Sequence, residues 1–369
     1  MSRLDRYVLR EVLVPFVLSV LAVVVLVFLL QAHNFAGAAL GLALTASDVL
    51  VILGAALPPF LVLAVPMAFL ASVVIGLVRM SGDLEIGAML AAGASPLRVA
   101  RAPIVLGAFV SLLTLPVAHV LQPLGLAALR ERLVDLALRN MTQAIEPGTF
   151  REDLGGVALF AESIEDRTLK SVLLYDERDP TAPVLVLARS AALTPRSRPG
   201  RSPIIDVELR DGEMHLESPS AENRYDRVAF TRARLAIDAD RELRERTRFV
   251  SDIQQMSSGQ MLEEAVRRGP KNLEGRRIER DFWRRFAYPS MSFVFALIGA
   301  AIALGADRSA RARIAMLSIL AVVGYYMTTR IGDGAVTRAS GTPFWAAIGP
   351  NLLFFAIGAV GLFRLGRAR

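Results

Sequence analysis

VRMSGDLEIGAMLAAGASPLRVAR, residues 78–101, separates two apolar runs that are each long enough to cross a bilayer. Arg79, Arg98 and Arg101 mark its edges. Between them, Ser81 to Ala92 reads as one short helix. Ser81 is placed to cap it, Asp83 and Glu85 sit in the first turn where acid suits the helix dipole, and Gly93 with Pro96 stops it. At about 1.5 Å per residue this helix is about 15 Å long, half of a bilayer span. It therefore lies outside the membrane, between two spans. Gly87, Ala88, Ala91 and Ala92 give it small faces that another protein surface can approach closely.

Outward from this stretch the chain is a membrane protein. Of its 369 residues 53% are hydrophobic, and the mean hydropathy is +0.44. Upstream, Arg3, Arg6 and Arg10 precede an apolar run from Val12 to Leu30. With Ala36-Gly37-Ala38 beyond it, this run resembles a signal peptide. Its length exceeds a usual signal core, so it reads as an uncleaved first span. The second run, Val49 to Val78, carries Pro58, Pro59 and Pro66, which kink or tilt it. The third starts near Ala102 and reaches about Leu129, interrupted by Pro116, His119 and Pro123. Three more spans close the chain, at Phe286–Ala306, Ile314–Thr329 and Phe344–Phe363.

Between Arg130 and Arg285 no run is long enough to cross. Short segments alternate instead: Gly156–Ile164, Ser171–Arg178, Val184–Leu193, Ile204–Arg210 and Arg227–Ile237. In the fourth, Ile205, Val207 and Leu209 alternate with Asp206, Glu208 and Arg210, the period of a half-buried strand. Asp211-Gly212 reads as a turn, and Pro195 to Pro203 as a polar loop. Strands at this spacing predict an all-β sandwich or jellyroll. Ser257 to Arg268 reads as a helix ending at Gly269-Pro270. The expected organisation is three spans with the short helix (1–129), an inserted β domain with a trailing helix (130–280), and three further spans (281–369).

Arginine placement orients the chain. One set of span ends holds the two clusters already named plus Arg308, Arg311, Arg313 and Arg364, Arg367, Arg369; the opposite short loops hold only Arg330 and Arg338. The positive-inside rule puts both termini and the 78–101 stretch in the cytoplasm and the β domain outside. The net charge of +7 belongs to these membrane edges and does not argue for nucleic acid. No cysteine is present, so thiolate chemistry is excluded.

Several chemistries are missing. No Asp, Glu, Lys or Arg lies within 12–47, 49–78, 102–129, 286–306, 314–329 or 344–363. Ion-coupled transporters and intramembrane proteases need such groups. His33, His119 and His215 are too scattered for a metal site. Lys170 follows Leu169 and Lys271 follows Pro270, so there is no phosphate-binding Gly-Lys-Ser/Thr loop. Transport by such spans needs an outside energy source. The 81–92 helix is where one can dock; as a passive turn on the headgroups it is equally well explained. Glu85 suits an Arg on an ATPase surface as well as the helix dipole. Arg330 and Arg338 suit lipid phosphates as well as interfacial anchoring.

LDRYVLREVLVPF (4–16), RMSGDLEIGAMLAAGASPLRVAR (79–101), IEPGTF (145–150), RRFAYPSMSFVFALIGAAIALG (284–305) and GPNLLFF (349–355) together resemble the LptF/LptG family of lipopolysaccharide-export permeases. Arg10-Glu11-Val12, Pro15 and the Ile-Glu-Pro-Gly stretch are more like LptF than LptG. Gly82 departs from a position that is more polar in relatives. The resemblance implies six spans with a periplasmic β-jellyroll between the third and fourth. It implies a second permease subunit, paralogous or identical, an LptB-like ATPase dimer, and an LptC-like jellyroll protein. The cargo it implies is lipopolysaccharide, drawn from the inner membrane onto a bridge of jellyrolls.

On this basis the chain is expected to be a transport subunit without catalytic residues or cofactor. Asp83, Leu84, Glu85, Met89 and Leu90 would engage the ATPase, with Glu85 as the coupling acid. His33, Arg330 and Arg338 would meet lipid. Two other readings remain: a lipoprotein-release or mechanotransducing permease, whose outer domain would be mixed α/β, and a membrane scaffold that transports nothing.

Overall fold

The structure, a computed structural model, describes residues 3–39, 46–141, 147–151, 156–165, 168–179, 183–196, 204–217, 225–238, 252–305 and 311–367. The chain divides into two compact units. One holds residues 1–33, 53–127 and 252–369; the other holds 34–52 and 128–251.

Six helical segments in the described residues are long and apolar enough to cross a membrane. They are built from α1 (Arg3–Ala39), α2 (Ala46–Gly82), α4 (Pro96–Pro116) running on into α5 (Gln122–Met141), α8 (Leu273–Gly305), α9 (Arg311–Thr337) and α10 (Pro343–Arg367). A seven-residue helix, α3 (Glu85–Ala91), follows α2, while α6 (Asp252–Gln255) and α7 (Ser258–Arg268) precede α8. The protein is thus a multi-pass membrane protein. The predicted spans match these helices, most of which extend further. In the third, a π-helical turn at Val117–Leu121 joins α4 to α5. Pro116 and Pro123 flank it, and each removes a helix donor.

Helix α8 is the centre of the bundle. Two-thirds of its most apolar window is buried, against 6% for α1 and 17% for α9. Small residues let its neighbours close in. A β-carbon on Gly107 of α4 would stand 2.7 Å from that of Ala296, and one on Gly358 of α10 would stand 2.9 Å from that of Leu297. Helices α8, α9 and α10 share a satisfied polar contact within the apolar core. The Tyr325 hydroxyl donates to Asn351 Oδ1 (2.6 Å), and Asn351 Nδ2 donates to the Ala287 carbonyl (2.7 Å). Helix α1, by contrast, meets the bundle through Val8, Val12 and Phe16, whose ring packs edge-on to Phe69.

The second unit contains an antiparallel sheet of six described strands in purely sequential order: β1 (Phe150–Arg151), β2 (Val157–Glu165), β3 (Thr168–Asp176), β4 (Val184–Arg196), β5 (Ile204–Glu217) and β6 (Tyr225–Asp238). All five predicted segments are strands. Asp211-Gly212 is not a turn, however, because β5 continues through it. Most of the Pro195–Pro203 loop lies outside the described residues.

What Asp211 and Gly212 do instead follows from the apolar pattern. Inward residues alternate up to one row and then skip to a spacing of three: Ala161 to Ile164, Leu169 to Val172, Ala188 to Ala191, Leu209 to Met214 by way of Gly212, and Phe230 to Ala233. The residues absorbing the slip are Glu162, Ser171, Arg189, Asp211 and Thr231, and the paired positions on both sides of them align across the sheet. Ser171 and Asp211 have positive φ, 50° and 49°. A slip in one strand would turn its remainder inside out. Here five strands slip together, so one apolar face is kept across a kink. Gly212 tolerates the close approach there, since a β-carbon would stand 2.2 Å from the Leu187 carbonyl oxygen.

The sheet is also folded over. The Arg178 Nη1 group, beyond the end of β3, donates to the Ala236 carbonyl of β6 (2.8 Å). By register Ala236 lies opposite Asp206 and Thr194, far from the Asp176 end of the ladder. In a flat sheet the two would be roughly 40 Å apart. Arg178 also grips Asp176 through Nε (2.8 Å) and Nη2 (2.5 Å). These bonds hold the Asp176 carboxyl below the usual carboxylate range.

Deleting Asp211 is expected to swap Met214 and Glu213 between faces and to lower the stability of the sheet by about 3 kcal/mol or more. Asp211→Gly keeps the count and should change it by less than about 1 kcal/mol. Thermal unfolding and protease resistance of the full chain in detergent measure both. The lowered Asp176 pKa contributes stability above the ordinary carboxylate range, which is lost as pH falls through the lowered value. The sheet should therefore melt more easily on acidification, and Asp176→Asn should flatten that dependence.

Candidate functional site

The stretch after the second span is built differently from its predicted single helix. Helix α2 keeps its core contact as far as Met80, which is 1% exposed, and continues to Gly82. The Asp83 N–H donates to the Arg79 carbonyl (3.0 Å) and the Leu84 N–H to the Ser81 carbonyl (3.3 Å). Ser81 is therefore in the last turn of α2 and caps nothing. Its sequence neighbours Gly82 and Asp83 suit a helix end as well as a helix start. Leu84 takes the left-handed conformation, φ 67°, and α3 begins at Glu85. That conformation costs a non-glycine residue about 1–3 kcal/mol and persists only where its surroundings impose it.

The far end of α3 follows the sequence expectation. Gly93 is left-handed (φ 88°), its N–H donates to the Leu90 carbonyl (3.1 Å), and the Ala94 N–H reaches back to Met89 (3.0 Å). This is a Schellman closure. Ser95 Oγ then accepts from the Arg98 N–H (3.2 Å) and starts α4, with Pro96 in its first turn.

The predicted site residues separate into two groups. Ile86 is buried in the core shared by α1, α2, α4, α8 and α10, and Met89 and Leu90 pack half-buried against that core. Asp83 and Leu84 are exposed, Leu84 by 53%, and Glu85 is half-buried. Met89 and Leu90 therefore anchor α3, while Asp83, Leu84 and Glu85 form its presented end.

Two residues that the sequence reading did not single out hold that end. The Tyr7 hydroxyl of α1 donates to Glu85 Oε1 (2.8 Å). Glu11, one turn further along α1, accepts from Arg79 Nη1 (3.1 Å), and Arg79 Nε lies 3.8 Å from Asp83. The spacing of four between Tyr7 and Glu11, on a helix whose other face is apolar, is the sequence signal for this pair. Each contact is exposed and contributes little singly; together they tie α1, α2 and α3.

A second arginine, besides Arg79, lies beside the stretch. Arg311 Nη2 at the start of α9 lies against Gly82, 3.4 Å from where a β-carbon would stand. Leu97 of α4 meets Gly366 near the end of α10, and Leu365 meets Gly305 at the end of α8. The Arg-bearing ends of the spans therefore share one end of the bundle.

The other candidates lie elsewhere. His33 falls among residues whose side chains are outside the description. His119 sits in the π-helical turn; its Nδ1 is 2.8 Å from Ser258 Oγ, and that oxygen accepts from Arg285 Nη1 (3.1 Å). Arg338 is exposed; Arg330 is 81% exposed and lies 3.8 Å from Asp333. Asp333 in turn pairs with Arg280 (3.0 Å) and Arg284 of α8. This cluster lies beyond the apolar runs, where Arg276, Arg280 and Arg284 recur at helical spacing. Among the described residues no group of His, Asp or Glu is arranged to hold a metal ion.

A search of curated proteins returns no match to this chain. The family profile described as "Lipopolysaccharide export system permease LptF/LptG" matches residues 6–365. The matched range includes α3, its braces on α1 and the whole inserted sheet. With six apolar spans, the chain is a multi-pass protein of the inner membrane, and it belongs to the LptF/LptG family of lipopolysaccharide-export permeases.

Proposed function

We propose that this permease subunit is driven by a separate LptB-like ATPase dimer, which docks on the presented end of α3 in the cytoplasm. The observation that carries the reading is Glu85. It is an acid set at the end of a short helix, next to a strained Leu84, held by Tyr7 and at the same end of the bundle as the arginine-bearing ends of the spans. On the positive-inside rule that end is cytoplasmic, both termini lie there, and the sheet is periplasmic.

A second permease subunit, paralogous or identical, would cover α1 and α9. These two spans expose the most apolar surface, including Leu18, Leu21, Leu29, Ile319 and Met327. Spans α2 and α10 are more deeply packed. The folded sheet would act as the jellyroll that receives lipopolysaccharide and passes it to an LptC-like neighbour. The features closest to LptF are Arg10-Glu11-Val12, Pro15 and Ile145 to Gly148. A mechanotransducing permease would carry helices in this domain; the described residues from 150 to 238 are strands and their connections.

Glu85→Ala is expected to reduce ATPase co-purification by roughly tenfold or more, as for loss of a charged hydrogen-bonded partner at an interface. Tyr7→Phe keeps the acid and loses its brace, so it should cost roughly two- to fivefold in lipid release per ATP hydrolysed. Unchanged co-purification and lipid release with Glu85→Ala would refute the docking role and favour a scaffold.

At the opposite end, Arg330 and Arg338 are proposed to meet lipopolysaccharide phosphates. Arg338→Glu should lower lipid release in vesicles roughly fivefold. Arg330→Glu should act similarly and also repel Asp333. Equal release by wild type and both variants would leave these residues as interfacial anchors.

A further inference from the structure

Helix α9 stands away from its neighbours over one stretch. Ile314 and Tyr325 are buried, and no residue between them is. The gap is a groove of about 520 Å³ between α8, α9 and α10. Its floor is small and apolar, with Ala301, Gly358 and Gly361, and Leu320 and Ile357 stand exposed at its side. The one charged residue lining it is Arg313, in the first turn of α9 at the arginine-bearing end of the bundle.

Its dimensions narrow the occupant. From Arg313 to Ala321 the groove follows α9 for about 12 Å, and from Phe354 to Gly361 it follows α10 for about 10 Å. One leaflet's hydrocarbon is about 15 Å deep. The groove stops where Tyr325 meets Phe295 and Phe354 edge-on (ring centroids 5.7 and 5.6 Å). A partner's membrane helix in this groove would meet that aromatic wall half-way across. A lipid tail ends there. Around Arg313 the arginine-rich end of the bundle favours an anionic headgroup.

We propose that this groove holds an acyl chain of an anionic phospholipid from the leaflet at the arginine-bearing end, with its phosphate on Arg313. The lipid is a resident, distinct from the exported cargo, and it fills the space that separates α9 from α8 and α10. The proposal needs the six spans but not the ATPase docking site.

The full chain, purified in mild detergent from membranes containing phosphatidylglycerol and phosphatidylethanolamine, should retain phosphatidylglycerol by mass spectrometry. Arg313→Gln should lower the retained anionic-to-zwitterionic ratio roughly fivefold, the effect expected of one cation near an anionic surface. Arg313→Lys should preserve the ratio. Leu320→Trp, which puts an indole at the groove, should reduce total retained lipid. A photo-crosslinker at position 320 should capture phospholipid in membranes. An unchanged ratio in Arg313→Gln, or no phospholipid captured at position 320, would overturn the proposal.

Discussion

In hydrocarbon only protein can pair a buried polar group, and close packing there depends on shape, not on escape from water. Helix α8 meets both demands for the rest of the bundle. Its contacts with Gly107 and Gly358 bring α4 and α10 to backbone distance, and the Tyr325–Asn351–Ala287 chain satisfies the polar atoms between α8, α9 and α10. With the centre occupied in this way, α1 and α9 can pack only through limited patches. Their exposed apolar faces follow from how completely α8 is surrounded. They are the two spans that the proposed partner subunit would most readily cover.

The two ends of the bundle use charge differently. At the arginine-bearing end the shared cation is exposed, with Arg79 67% accessible beside Glu11 and Asp83. Water screens such pairs, so they rearrange at little cost. At the other end Arg280 and Arg284 have side chains only 13% and 14% exposed and share Asp333. Losing one member there would leave a charge stranded in a partly buried setting. The first end suits a surface that must exchange partners, and the second a fixed junction between α8 and α9.

Much of this fold was legible in the sequence because bilayer thickness sets a length that residues can be counted against. The six spans and the five longer strands follow from run length and alternation. The local breaks were not legible. Ser81-Gly82-Asp83 carries signals for a helix start, but burial of Met80 draws α2 onward and puts the break at Leu84. Asp211-Gly212 has turn chemistry that the sheet uses for a concerted slip, visible only once register aligns Glu162, Ser171, Arg189, Asp211 and Thr231. In the candidate site Glu85 was readable, whereas its brace was not: the spacing of Tyr7 and Glu11 marks a pair on α1, but nothing in the chain order places residues 7 and 85 in contact.

That contact bears on how force would travel. Ile86 buries α3 in a core that includes Val8 and Val12 of α1, and Tyr7 and Glu11 bond to Glu85 and Arg79 alongside it. A push on α3 would therefore reach α1 directly, through the shared apolar core and the Tyr7–Glu85 bond, and not only along α2 with its Arg79–Glu11 pair. Helix α1 is the least buried span, so it opposes displacement with the fewest lost contacts. Helix α2, more than half of whose apolar window is buried, resists more. The same load would shift α1 further than α2, and the span most free to move is the one tied to Glu85.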